Sequence, residues 1–265
     1  MSKKICATLW EGFDKVIEAR AALQTLLENS DDDGINTKQV QSAIAALQNN
    51  NAEYQERLKN SVTLPDGTPI HATDYLALCK LATDNNLELD KVLIGIRGNS
   101  ISSTGRVIIA SLSDIGISNI SALKHLTALT ILCLQNNKIK DISPIKDLTA
   151  LTTLDLHSNQ IKDITPITNL TALTELWLND NQINDIGAIK NLTALTTLWL
   201  SNNQLVDINS IKNLTALTEL WLYNNQIEDI SPIKDLPIFN SSNFTFWKNP
   251  LSEASKALLE ARRTP

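Results

Sequence analysis

The chain has 265 residues, 43% of them hydrophobic and 20% charged, which fits one long globular domain or two modest ones. A formal net charge of −6 leaves no basic surface for a nucleic-acid partner, and only eight Gly and eight Pro exclude collagen-like or low-complexity chains. Three widely spaced cysteines, Cys6, Cys79 and Cys133, make neither a disulfide framework nor a zinc site and read as reduced thiols.

At the N-terminus, Met1-Ser2-Lys3-Lys4 precedes an apolar run that stops at Glu11, short of the roughly 7–15 residues of a secretory h-region. No stretch reaches the ~18 apolar residues of a membrane span. The expectation from these features is a cytoplasmic chain. Ile5, Leu9, Phe13, Ile17, Leu23 and Leu27 follow helical spacing up to the polar break Asn29-Ser30-Asp31-Asp32-Asp33-Gly34. A second helix is predicted from Thr37 to Lys59, with Val40, Ile44, Leu47, Tyr54 and Leu58 on one stripe. Pro65-Asp66-Gly67-Thr68-Pro69 is a turn, a third helix runs from Thr73 or Asp74 through Leu81, and Lys91 to Ile96 is a helix end or a strand. Residues 1–104 thus read as a small helical domain that packs on whatever follows and shields it.

Two constellations in this segment invite chemistry and lose to plainer readings. The Asn29–Gly34 stretch starts like a calcium loop, but its twelfth position is Val40 where a bidentate Glu belongs, and its eighth is Asn36. It reads as an acidic linker. His71, Asp74 and Cys79 are close enough for a thiol and a base, but Leu76, Leu78 and Leu81 mark a buried helix face. His125 and His157 have no ligand-spaced neighbours, and no nucleotide, metalloprotease or serine-hydrolase motif occurs. No catalytic residue, cofactor or metal is expected.

From Val107 onward the sequence repeats every 22 residues. Asn137, Asn159, Asn181, Asn203 and Asn225 form one column; Leu129 to Leu217, Leu134 to Leu222 and Asp141 to Asp229 form others. Each unit reads LTxLxLxxNxIxDIxxIxxLTA. Alternation in Leu176-Trp177-Leu178 predicts a short strand with the leucines inward and the tryptophan outward. One such strand cannot bury its apolar face alone, so successive units must stack and pair. Ile183, Ile186 and Ile189, three residues apart, suit 3₁₀ or extended turns. The invariant Asn column is read as architecture that satisfies backbone groups, and the Asp and Thr columns (Thr149, Thr171, Thr193 and neighbours) as turn chemistry.

In these residues the chain resembles the leucine-rich-repeat family, whose LxxLxLxxNxL pattern is matched five times without a gap. The 22-residue length and the DIxPI that follows resemble the bacterial internalins and the short-repeat regulatory subunits of protein phosphatases. The resemblance implies an α/β leucine-rich-repeat solenoid, with parallel strands on the concave face and 3₁₀ or extended turns on the convex one. Residues 105–251 would form it: a degenerate first cap at 105–126 with Ile115 in the Asn position, five regular repeats at 127–236, and a modified last repeat at 237–251. There Phe244-Thr245-Phe246-Trp247-Lys248-Asn249 restates LxLxxN with a shift of 24. Residues 252–265 read as a capping helix with Ser252 as N-cap.

Outward strand positions are free of packing duty. The central column runs Cys133, Asp155, Trp177, Trp199, Trp221; the next outward one runs Gln135, His157, Asn179, Ser201, Tyr223 and then Trp247; the preceding one holds Glu175 and Glu219. With strands ~4.8 Å apart the three tryptophans are expected to stack side by side. The result is an aromatic stripe bordered by Glu175, Glu219, Asp155 and Asp180, with His157 beside it. Exposed aromatic patches of several hundred Å² mark interaction sites, and Trp and Tyr dominate interface hot spots. The expected function is a monomeric, non-enzymatic protein-binding module whose partner carries basic residues beside an apolar surface. Internalin-like proteins bind host proteins through this face, so the resemblance implies a bacterial effector acting on a host protein, either cytoplasmic or secreted into a host cell by a signal-peptide-independent system. It also leaves open an effector whose front domain is a ubiquitin ligase, and an intracellular phosphatase-regulatory type of binding protein.

Overall fold

The computed structural model describes residues 62–64, 68–96 and 100–262. The helices expected over Ile5–Leu27 and Thr37–Lys59, the Asn29–Gly34 linker, Cys6 and the centre of the Pro65–Pro69 turn lie outside the described residues. The described chain opens with an antiparallel pair, β1 (Val62–Thr63) and β2 (Pro69–Ile70), followed by helices α1 (Ala72–Asp84) and α2 (Leu89–Leu93). α1 starts where His71 Nδ1 accepts the Thr73 amide, and it runs three residues beyond the expected end at Leu81. Lys91–Ile96, left between helix and strand by its sequence, enters as the end of α2.

Seven parallel strands follow in chain order: β3 (Ile109–Ser111), β4 (Ile131–Cys133), β5 (Thr153–Asp155), β6 (Glu175–Trp177), β7 (Thr197–Trp199), β8 (Glu219–Trp221) and β9 (Phe244–Thr245). Each regular strand is in register with the residue 22 positions on, and at the last step Leu220 pairs with Phe244, a shift of 24. Every unit returns through a 3₁₀ turn, such as Ser143–Ile145, Thr165–Ile167 and Gly187–Asn191, on the side opposite the sheet. The central leucines of the strands and the isoleucines of the turns form one continuous core, all nearly inaccessible, which includes Ile70, Leu78 and Leu81 of the front segment without a break at position 104. A last helix, α3 (Glu253–Arg262), covers the far end.

Three polar columns hold the turns together. Each buried Asn bridges two units: Asn181 Nδ2 donates to Leu156 O at 3.0 Å and Leu178 O at 3.1 Å, while its Oδ1 accepts Ile161 N at 3.0 Å. Asn249, despite the altered spacing, makes the same three bonds with Leu222 O, Phe246 O and Ile227 N. The Thr130, Thr152, Thr174, Thr196 and Thr218 hydroxyls each donate to the carbonyl 22 residues earlier. Asp141, Asp163, Asp185, Asp207 and Asp229 each accept an amide two residues on, at the start of the 3₁₀ turn. The residue before each Asn is in the left-handed region: Asn136, Ser158, Asp180, Asn202, Asn224 and Lys248 all have φ between 54° and 59°. That conformation turns the chain out of the strand, and Asn and Asp tolerate it best among residues with a Cβ.

Both ends of the sheet are closed. Asp74, fully buried on α1, receives the Val107 amide at 2.8 Å and Arg106 Nε at 3.0 Å, which pins the helix to the first repeat. The edge of β3 is met by Gly95, whose carbonyl accepts Ser111 N at 3.1 Å. A Cβ on residue 95 would lie 1.9 Å from Ser111 O, so the approach requires glycine. At the other end Ser255 Oγ donates to Glu228 O and accepts Ile230 N, and Ser252 Oγ accepts the Ser255 amide as an N-cap.

Candidate protein-binding face

The outward positions of β6, β7 and β8 carry Trp177, Trp199 and Trp221 as direct register partners. All three are partly exposed, none belongs to the core, and Tyr223 is partly exposed beside them. Trp247 is the most open, at 52%. Trp199 and Trp221 stack at 4.3 Å with planes 11° apart, and Tyr223 and Trp247 stack at 4.5 Å and 4°. Trp221 and Tyr223, 6.4 Å apart, join the two pairs into one surface. The shift of 24 explains this second pair: it sets Thr245 against Trp221, and two residues on Trp247 comes beside Tyr223. Lys248 lies 5.2 Å from the Trp247 ring centroid.

Two expectations need correction. The three tryptophans do not form a uniform stack: Trp177 meets Trp199 at 82° with centroids 6.1 Å apart. On its other side β5 offers Asp155 and no ring, so nothing holds Trp177 parallel, and the edge-to-face arrangement is favoured by the ring quadrupole. Asp155, expected as an exposed acid at the border, is 9% accessible. Its Oδ1 accepts the His157 amide at 3.1 Å and sits 2.7 Å from His157 Nδ1, because residues two apart on one strand face share a side.

The remaining acids divide in the same way. Glu219 Oε1 accepts Trp199 Nε1 at 3.0 Å, which fixes the indole against Trp221. Asp180, exposed and left-handed, accepts from Asn179 and Asn202, both at 2.7 Å. Glu175 has no such bond among the described residues. No Lys or Arg occupies the outward strand columns or the column two residues beyond, so the face is acidic and aromatic up to Lys248 at its end.

Cys133 stands next to Asp155 across β4 and β5. Burial, and then the Asp155 charge, push its thiol above the ordinary value, against a smaller lowering by Ser111. A protonated thiol is a poor nucleophile. In the front segment His71 is a helix cap and Asp74 is engaged by Arg106, while Cys79 is buried in α1.

A stack of 22-residue units with a parallel sheet on one side and 3₁₀ turns on the other is a solenoid scaffold, a type that presents its concave sheet to partners. The fold is that of a leucine-rich-repeat solenoid, and the family of leucine rich repeats (2 copies) matches residues 149–191 and 193–235. Among solved structures, an internalin (inlF) from Listeria monocytogenes is 32% identical over 62% of this chain and 57% of its own, with a TM-score of 0.48. Internalin C2 (inlC2) from the same organism is 27% identical over 69% of this chain and 87% of its own, with a TM-score of 0.46. The chain thus spans little more than half of the first of these. The PEPR1–AtPEP1 structure shares the fold at 24% identity and a TM-score of 0.54, over 71% of this chain and 30% of its own. No curated protein matches the sequence. Among the described residues no helix is long and apolar enough to cross a membrane.

Proposed function

We propose that this protein is a non-enzymatic binding module that takes a partner protein on its concave face. The observation that carries this reading is the joined aromatic surface from Trp177 through Trp199, Trp221 and Tyr223 to Trp247, left partly open by every described residue. Rings fixed by stacking and by Glu219 lose little freedom on docking, so the face is preorganised. Trp199 and Trp221 act as apolar anchors, while Glu175, Glu219, Asp180 and the Asp155–His157 pair select a partner with basic residues beside an apolar ridge.

The test compares pull-downs by wild type and by the Trp199→Ala/Trp221→Ala double variant. Losing one stacked pair on a half-open surface costs about 0.5–1.5 kcal/mol beyond the area it buries, so the variant should stay folded and lose its partner. Unchanged capture by a folded variant refutes the assignment. The effector reading, with a host protein as partner, rests on the internalin-like 22-residue repeat. Running the same pair against host-cell and bacterial lysates separates it from an intracellular, phosphatase-regulatory kind of partner.

A further inference from the structure

We propose that the corner between Trp177 and Trp199 receives an arginine side chain of the partner protein, with Glu175 as its counter-ion. This rests on the concave face being the binding face. Trp199 is stacked on Trp221 through one ring face, in the strand-to-strand direction. Trp177, on the opposite side of Trp199, stands at 82° to it, so its own ring faces are turned away from the neighbouring strands. No other aromatic ring among the described residues covers Trp177. Trp177 thus presents its edge to Trp199 and keeps its own π-faces, the negative part of the ring's quadrupole, free of ring contact, so the corner beside Trp199 is walled by an open face of Trp177.

The polar surroundings of the corner favour a cation with many donors. Glu175 precedes Trp177 by two residues on the same strand face, about 6.6 Å along the strand. Of the acids on this side, Asp114, Asp155, Asp180 and Glu219 each accept a hydrogen bond, and Glu175 has no partner among the described residues. Glu175 is thus the acid of this face without a partner, and the absence of Lys and Arg from the three outward columns leaves its charge unbalanced. A guanidinium matches all of this: it is planar enough to lie on Trp177, carries five N–H donors, and presents a fork to a carboxylate. An ammonium is more strongly hydrated and lacks the fork, so arginine is preferred to lysine.

The test uses the full chain, labelled with ¹⁵N, and follows the indole N–H resonances. The probes are the acetylated and amidated tripeptides Gly-Arg-Gly, Gly-Lys-Gly and Gly-citrulline-Gly. The arginine peptide should shift the Trp177 and Trp199 resonances saturably, with the lysine peptide several-fold weaker and the uncharged citrulline peptide inert. Glu175→Gln should weaken the arginine peptide about tenfold, the loss of one charge-assisted bond, and leave the unliganded spectrum otherwise in place. Equal shifts by all three peptides, or Glu175→Gln binding as tightly as wild type, overturn the proposal. If the Trp199→Ala/Trp221→Ala variant loses its captured partner while the arginine peptide shifts nothing, the arginine receptor fails and the binding face stands. If capture survives that variant, the face itself is misassigned.

Discussion

Removing one amide from the asparagine column should cost more than removing any one of the outward tryptophans. In wild type Asn181 satisfies Leu156 O, Leu178 O and Ile161 N, which belong to two successive turns and are buried from water. Asn181→Ala strands all three. With about 1–1.5 kcal/mol for each buried backbone group left without its partner, the loss is about 3–4.5 kcal/mol, a large share of the ~5–15 kcal/mol that holds a domain together. Urea denaturation followed by circular dichroism measures it. Because the units couple only to their neighbours, the transition should also broaden or split, with the slope against urea falling. Asn249→Ala is the internal control: Asn249 makes the same three bonds but is only partly buried, so water replaces it and the cost should be smaller. Asn181→Asp keeps an acceptor for Ile161 N but turns a carboxylate toward two carbonyls. Its folded-state pKa is therefore raised above the unfolded value near 3.9, so its deficit should shrink as pH falls and the carboxyl gains a proton to donate. A loss below about 1 kcal/mol for Asn181→Ala, or equal losses at positions 181 and 249, would refute this account of the column.

Asp74→Ala should cost about 3 kcal/mol by leaving Val107 N unpaired and Arg106 half-buried without its anion, and hydrogen exchange should speed up at Val107 and along β3. Asp163 has its carboxyl held below the ordinary value near 3.8, first by the Thr165 hydroxyl and then by the Thr165 amide. A depressed folded-state pKa contributes stability above the unfolded value that is lost as pH falls through the folded one. Thr165→Val should move the Asp163 titration, read by carboxyl NMR, back upward. Ser158 has φ of 54° in a column otherwise held mostly by Asn and Asp. Ser158→Asn should gain about 0.5 kcal/mol, seen as a rise of roughly 1–2 °C in thermal midpoint.

The repeat architecture was legible because the period is written directly into the chain: the Leu, Ile, Asn and Asp columns have the same chemical task in every unit, so each copy confirms the others. The modified unit was equally readable, since Phe244, Phe246 and Asn249 keep the pattern of Leu220, Leu222 and Asn225. The left-handed column was missed although Asn-Asn and Asp-Asn pairs follow nearly every regular strand, and those residue types are its signal. Burial of Asp155 was missed for a different reason. Column logic treats outward residues as independent, whereas Asp155 and His157 lie on one face of one strand and find each other. The tilt of Trp177 follows from its neighbours on both sides, which a consensus column does not express.

What separates scaffold from site in this chain is where its polar demands are met. The Asn, Thr and Asp columns satisfy the turns from inside the stack and at its rims, and the strands satisfy one another through the ladder, so the outward side chains are not needed to join one repeat's backbone to the next. Composition there can then drift from Cys133 and Asp155 to three indoles without disturbing the register, which stays at 22 through β8. The polar atoms left unsatisfied on this side, Gln135 Oε1, Asn179 Oδ1, Ser201 Oγ and Thr245 Oγ1, belong to these free columns. Buried atoms without partners are rare in folded chains because each costs about 1–3 kcal/mol. Each of the four is inaccessible to solvent, so the cost falls within these columns, and the open features of the face are its rings and Glu175.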